Sequence, residues 1–380
     1  MSEWKEGRLK DISNVLMGQS PPGDSCNNNG KGLPLLNGPT EFGIKSPTPV
    51  QFTVEPKKIC HVDDILFCVR GSTTGRMNWA DQKYTIGRGI ASINHKNGLE
   101  YRYFIRGLLD YYLPLMLSAT TGSTFPNISR DQLENLEILI PPLLAQKAIA
   151  AVLSSLDDKI DLLHSQNKTL EALAETLFRQ WFIEPFDSAQ DGKAQDDWEE
   201  GNLGDVIEIF DSKRIPLSKM QRDKMKDGVL YPYYGAAQIM DYVNDYIFDG
   251  EFILLGEDGT VRTDEGYPVM QYATGKFWVN NHTHIFQAKA PFNNFLIWNY
   301  LIKKNIDEIV TGAVQPKINQ TNLKSIDFPK YPETLVNKFK HITEPSFQKI
   351  KHNQIQIRSL EKLRDSLLPK LMSGEVRVKI

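Results

Sequence analysis

Cysteine is scarce in this chain: Cys26, Cys60 and Cys68 are all that 380 residues contain. So few, and odd in number, they give no disulfide framework and suit a reducing compartment. No stretch approaches the roughly 18 consecutive apolar residues that a membrane span needs, and residues 1–10 lack the basic-then-apolar layout of a secretory signal. A cytoplasmic protein with no membrane partner is expected. The chain also lacks a Gly-x-x-x-x-Gly-Lys-Ser/Thr phosphate loop and a Gly-x-Gly-x-x-Gly dinucleotide turn. No Asn/Asp-Pro-Pro-aromatic tetrapeptide, the mark of an amino-methyltransferase, is present; Glu184-Pro185-Phe186 is the nearest string. No catalytic residue, bound metal or resident cofactor is therefore expected.

Charge is nearly balanced, at a formal −3, but it is segregated. Residues 1–140 carry 15 basic and 14 acidic side chains, residues 141–190 carry 4 and 7, residues 191–335 carry 15 and 22, and residues 336–380 carry 10 and 4. This distribution excludes a generic polyanion binder while leaving room for local basic surfaces.

What is present in abundance is repetition. Trp4, Glu6, Gly7, Leu9, Asp11 and Ile12 return 194 positions later as Trp198, Glu200, Gly201, Leu203, Asp205 and Val206. Thr121, Gly122, Pro126, Ile128 and Leu133 return 190 positions later as Thr311, Gly312, Pro316, Ile318 and Leu323. The same offset of 190 relates Lys159, Ile160, Leu170 and Leu177 to Lys349, Ile350, Leu360 and Leu367. A period this long is no solenoid, whose repeats run to roughly 50 residues; two similar globular units, each followed by a helix, are expected. Composition and turn signals divide the chain into a mixed strand-and-helix module over 1–141, a long helix within 142–186, a linker over 187–197, a second module over 198–331 and a second helix within 332–380.

The first helix is expected from Gln146 to Phe182. Ile149, Leu153, Leu156, Ile160, Leu163, Asn167, Leu170, Ala174, Leu177 and Trp181 alternate in steps of four and three, the 3.5-residue period of a coiled-coil seam. The second seam is Ile350, Asn353, Ile357, Leu360, Arg364, Leu367 and Leu371, with Pro345 expected to kink or restart its helix and Pro369 and Gly374 near its end. A module lies between the two helices, so antiparallel pairing within the chain is the easier geometry, with dimerisation between chains as its competitor. Asn167, polar on an apolar seam, is either a register-fixing amide or a wet point.

Metal sites have weak support. Cys60, His61 and Cys68 lack paired zinc spacing, His282 and His284 lack an evident third ligand, and Glu55-Pro56-Lys57 has no preceding Pro-Asp. Recognition chemistry is better supported. Arg70, Ser72, Thr73 and Arg76 lie in a Gly-bracketed loop after the buried run Ile65–Val69, followed by Lys83 and Arg88. In the second module Lys213, Arg214, Arg262, Thr263, Lys276, Asn280 and Asn281 provide comparable donors. Guanidinium forks, hydroxyls and amides are the groups that reach base edges and phosphates.

Three segments carry a family resemblance. Ile140-Pro141-Pro142-Leu143-Leu144-Ala145-Gln146-Lys147-Ala148-Ile149-Ala150, continuing through Leu156-Asp157-Asp158-Lys159-Ile160 to Leu177-Phe178-Arg179-Gln180-Trp181-Phe182, resembles the central region of type I restriction-modification specificity (S) subunits. Leu367–Glu375 resembles their distal region, and Thr311–Ile318, with its counterpart Thr121–Ile128, resembles the segment closing a target-recognition domain. The resemblance implies an α+β fold with two similar mixed α/β target-recognition domains separated by a pair of long antiparallel helices, an intramolecular coiled coil with pseudo-twofold symmetry. It further implies that the domains read the two halves of an asymmetric site in double-stranded DNA. Methyltransferase (M) subunits would dock on the helices and restriction (R) subunits would join for cleavage, with S-adenosylmethionine, ATP and Mg on those partners. A coiled-coil adaptor or homodimer without a DNA role, and a stand-alone DNA-modifying enzyme, are the alternatives.

Overall fold

The computed structural model describes residues 4–119, 126–183, 198–312 and 315–379. The linker expected over 187–197 and most of the first Thr-Gly motif lie outside the described residues. The chain divides into two compact units, residues 1–162 with 356–380, and residues 163–355. Each holds one module and a stretch of both long helices.

The first unit contains β1 (Lys5–Arg8), β2 (Ser13–Met17), β3 (Cys26–Asn27), β4 (Leu33–Leu36), β5 (Gln51–Thr53), β6 (Ile65–Cys68), β7 (Met77–Trp79), β8 (Thr85–Ile86), β9 (Ile90–His95) and β10 (Glu137–Ile140). They form sheets of order β2-β9-β6-β7 and β3-β5-β4-β8, with a separate β1-β10 pair. The four consecutive apolar residues of β6 are all buried, as a strand covered on both faces requires. A helix over Arg102–Ser118 adds Phe104, Ile105, Leu108 and Leu109 to the same core.

The second unit contains β11 (Ile207–Ile209), β12 (Tyr231–Tyr234), β13 (Ile239–Val243), β14 (Phe248–Gly256), β15 (Met270–Val279) and β16 (Thr283–Ala288) in one sheet of order β11-β16-β14-β15-β12-β13. Its core is more aromatic, with Phe252, Phe277, Phe286, Phe328 and Tyr233 buried.

The repeated sequence landmarks become repeated backbone contacts. Lys5 pairs with Ile140 in one module and Glu199 with Lys330 in the other, a clasp joining module start to module end. Leu9 N–H donates to Leu136 O and Leu203 N–H to Ile326 O; Lys96 N–H donates to Ile12 O and Lys289 N–H to Val206 O. The Trp-x-Glu-Gly-x-Leu motif is thus scaffold: its leucine is fully buried in both copies.

The first long helix runs over Leu143–Phe178 and continues as a π-helical turn over Arg179–Ile183. It starts just after Pro142, whose ring suits a helix entrance. The second is one continuous helix over Glu333–Met372. Pro345 therefore does not restart it; the His341 carbonyl that loses its partner belongs to an exposed residue, where water can satisfy it. Gly374, at φ +76°, ends it.

Within each unit the two helices run antiparallel. In the first unit Leu153, Leu368 and Met372 converge on Gly107, where any Cβ would approach all three to 2.9 Å, and Asp157 accepts from Arg364 at 3.0 Å. In the second, Asn167 meets Asn353, Ala174 packs with Phe347, and Phe178 lies 6.1 Å from Phe339. Of the expected seam, Ile149, Leu153, Ile160, Leu163, Asn167, Ala174, Ile350, Asn353, Ile357 and Leu371 are buried, whereas Leu156, Leu170, Leu177, Leu360 and Leu367 are half-buried. At the end of the first helix Phe178 and Phe182 replace Leu177 and Trp181 as the buried positions. There the helix packs on Tyr300, Tyr331 and Phe339, and that aromatic cluster captures the neighbouring face.

Candidate nucleic-acid interface

In the first unit the Gly-bracketed loop is a tight backbone structure. Gly71 and Gly75 both adopt φ +91°, a region costly to residues with a Cβ. Thr74 is buried, its hydroxyl shared between the carbonyls of Gly71 at 2.8 Å and Pro126 at 2.9 Å. Arg76, expected to project, spends its guanidinium on the Pro39 and Phe42 carbonyls at 3.2 and 2.7 Å; it ties two loops together. Arg70, Ser72 and Thr73 remain exposed, and Arg70 donates through Nε to Asn127 Oδ1 at 3.2 Å.

Strand register brings Arg70 and Arg88 together. β6 and β9 pair antiparallel from Ile65↔Ile93 to Cys68↔Ile90, and Val69 N–H then donates to Gly89 O, so residues 70 and 88 are opposite one another at the ladder's end. Both are exposed. Lys83 is exposed on the preceding turn.

The second unit distributes its candidates differently. Arg214 is not a free donor: Nη1 bonds Glu257 at 2.6 Å and the carbonyls of Asn281 and Thr283 at 3.2 and 2.8 Å, while Nη2 lies 3.6 Å from Asp211. Asn280 is buried, its Oδ1 accepting from His282 N–H at 3.0 Å and Thr283 Oγ1 at 3.3 Å. Both serve the fold. Arg262 pairs with Asp307 at 2.9 Å, and Thr263 caps a turn by accepting from Tyr267 N–H at 3.3 Å. Lys213 lies over Phe210 at 5.0 Å, and Lys276 over Tyr246 at 4.4 Å, both exposed. Asn281 is exposed at the mouth of β16.

Behind that mouth is a charged network. Asp211, Glu257 and His284 bring ligand atoms within 4.8 Å of one another, a spacing compatible with a metal ion. Arg214 and Lys317 already supply positive charge there. Arg214 bridges the two carboxylates, Lys317 lies 3.4 Å from Glu257, and His284 sits with Nδ1 2.6 Å from Asp211 and Nε2 2.8 Å from the Ile318 carbonyl. Burial opposes ionisation of Asp211, yet hydrogen bonds from His284 and the Ile285 N–H, with the charge of Arg214, hold its carboxyl below the usual range. His282 is engaged separately, on Asp258 at 2.8 Å. Cys60 is buried, with its thiol pushed up to about 12 by burial, and Cys68 donates to the Arg70 carbonyl at 3.3 Å. Neither sulfur faces a metal-ligand partner among the described residues.

The chain matches the family described as Type I restriction modification DNA specificity domain over residues 1–172 and again over 195–332, once for each module. It belongs to that family. The type I restriction enzyme MjaIX specificity subunit of Methanocaldococcus jannaschii is 27% identical over 417 aligned residues, covering 99% of this chain and 94% of that protein. The HindI specificity subunit of Haemophilus influenzae is 29% identical over 208 residues, 51% of this chain and 44% of that protein. A crystal structure of a type I restriction-modification S subunit from M. genitalium covers 97% of this chain and 96% of its own at 20% identity, with a TM-score of 0.60, and so shares the fold.

DNA recognition is the role of this specificity family, and ten of the thirteen candidate donors fall into two groups, Arg262, Thr263 and Lys276 being partly engaged on the surface. Arg70, Ser72, Thr73, Lys83 and Arg88 in the first module, with Lys213 and Asn281 in the second, keep donors facing solvent. Arg76, Arg214 and Asn280 have spent theirs on the protein. No helix of the described residues is long and apolar enough to cross a membrane.

Proposed function

We propose that this chain is the sequence-reading subunit of a type I restriction-modification assembly and performs no chemistry itself. Each module reads one half of a split, asymmetric site in duplex DNA. Methyltransferase subunits dock against the long helices and bring S-adenosylmethionine; restriction subunits, where they join, bring ATP and Mg.

The observation that carries this reading is the double match to the DNA specificity family, one copy per module, with the same backbone clasp closing both copies. Two readers on one chain raise the effective concentration of the second contact once the first has formed, so two modest affinities yield one selective one. The acidic balance of residues 191–335 limits non-specific phosphate binding, which grows with the number of phosphates neutralised.

The test is purification of the chain alone and together with a type I methyltransferase subunit from its source organism. The complex is expected to methylate adenines within one split motif, and the chain alone to transfer no methyl group. Methylation by the isolated chain would mean a stand-alone enzyme. A complex that binds all duplexes alike, or a chain that only dimerises and ignores DNA, would overturn the reading.

A further inference from the structure

The loop after β6 and the loop after β14 are the same backbone. Gly71 N–H donates to Pro126 O and Gly259 N–H to Pro316 O; Ile128 N–H donates to Val69 O and Ile318 N–H to Glu257 O. Arg70 bridges to Asn127 and Asp258 to Lys317. Val69 N–H donates to Gly89 O, as Glu257 N–H does to His282 O. Both glycines have positive φ, +91° and +78°. These contacts align Arg70 with Asp258, Arg88 with Asn281 and Gly89 with His282.

At these matched positions the chemistry inverts. The first module presents two guanidinium groups, and among the described residues the Nη atoms of Arg70 have no protein acceptor. The second presents a carboxylate beside an amide and an imidazole. Asp258 Oδ1 is held by His282 at 2.8 Å, while Oδ2 has no donor among the described residues. The support differs too: Val69 and Ala91, buried and apolar, correspond to Glu257 and His284 in the Arg214 network. A backbone kept constant while the group after the strand changes from an exposed guanidinium to a half-buried carboxylate with one oxygen unpaired is what two readers of unlike half-sites require.

We propose that Asp258, oriented by His282, is a specificity-determining residue of the second module that accepts a hydrogen bond from the major-groove amino group of a cytosine, where the first module uses Arg70 and Arg88 on guanine acceptors. Arginine matches guanine O6 and N7, and a carboxylate matches cytosine N4. A carboxylate gains nothing from phosphates, so its contribution is selectivity rather than affinity. The inference rests on the DNA-reading function above.

The experiment maps methylated motifs in the genome of a host expressing the complete complex with wild-type chain, Asp258→Ala, the isosteric Asp258→Asn, or Arg70→Ala. Asp258→Ala is expected to relax one position in one half of the motif, with discrimination there falling roughly 5- to 100-fold. Binding to a scrambled duplex is expected to stay equal or rise. Arg70→Ala should relax a guanine in the other half. If Asp258→Ala abolishes methylation through misfolding, Asp258→Asn decides: relaxation at a single position supports the assignment, and an unchanged motif overturns it. A wild-type complex with a split motif that neither Asp258 variant alters removes this inference and leaves the proposed function standing. A wild-type complex with no motif removes both.

Discussion

Asn353 donates from Nδ2 to Asn167 Oδ1 across 2.8 Å, in the buried seam between the two long helices. Repeat spacing makes Leu163 the counterpart of Asn353 and Ile357 the counterpart of Asn167, so the equivalent pair of positions is apolar. Asn353 Oδ1 is buried and has no partner among the described residues, so the arrangement sacrifices stability. What it gains is alignment, since a slipped register would leave both amides unpaired.

Asn167→Leu leaves Asn353 Nδ2 only its 3.3 Å bond to Gln166 Oε1, and Asn353→Leu strands the Asn167 carbonyl; either is expected to cost about 1–3 kcal/mol in chemical denaturation. The double replacement, which recreates the Leu/Ile chemistry of the counterpart positions, is expected to recover that loss and exceed wild type. It should also broaden the distribution of oligomers seen by light scattering. A double variant as destabilised as either single one, and uniformly monomeric, would show that the pair has no aligning role.

The buried network around Arg214 yields a second prediction. Removing one member of a buried charge set leaves the others uncompensated, so Arg214→Met is expected to destabilise by about 3 kcal/mol, and Arg214→Met with Glu257→Gln by less. A chelator should leave the melting temperature unchanged, because Arg214 and Lys317 already neutralise the carboxylates that a metal would need. A rise in melting temperature on adding zinc would contradict this account.

These cases mark where sequence reasoning succeeds. The seam was legible because helical period is local: Leu153, Ile160 and Leu163 are buried where their spacing puts them. The recurrence of Leu9 as Leu203 was legible, but the backbone clasp that both copies build was not. Which arginines are free was not. Arg214 and Glu257 are 43 residues apart and Arg76 and Phe42 are 34, and nothing in the local sequence reveals such pairings. The match of Arg70 to Asp258 was hidden for another reason. Between modules the offset is 198 at Leu35 and Tyr233, 188 at Gly71 and Gly259, and 193 at Thr85 and Trp278, as loops of unequal length come and go between fixed strands. A constant shift misaligns the loop that matters.

Acidity should weaken the first unit at a defined point. His95 is buried, stacked on Tyr101 at 4.5 Å, with Nε2 2.9 Å from Gln146 Oε1 on the first long helix. Burial lowers its pKa below the ordinary 6.5, with the Gln146 contact opposing only in part. Because the folded value lies below the unfolded one, the unfolded chain takes up the proton first. The contribution to stability is complete above about pH 6.5 and is lost progressively as pH falls from there through the lower folded value. Melting temperature measured from pH 7.5 to 5.5 is expected to fall, and His95→Gln to flatten that slope while lowering stability at pH 7.5. An unchanged slope in the variant would assign the effect elsewhere.

Module exchange tests the independence of the two readers. The backbone bridge between Glu199 and Lys330 closes the second module upon itself, so a cut at 198 and 331 carries the clasp with the graft. Trp198 and Tyr331 must be kept at the joints, because they pack edge to face at 4.9 Å and Tyr331 lies 4.6 Å from Phe182 on the first long helix. Replacing the intervening residues with those of another family member is expected to change one half of the methylated motif and leave the other half intact. Grafts that lose either aromatic ring should fail through instability, visible as a lowered melting temperature, before they fail in recognition. If both halves of the motif change together in a well-folded graft, the modules do not read separately, and the repeat reflects shared architecture rather than divided labour.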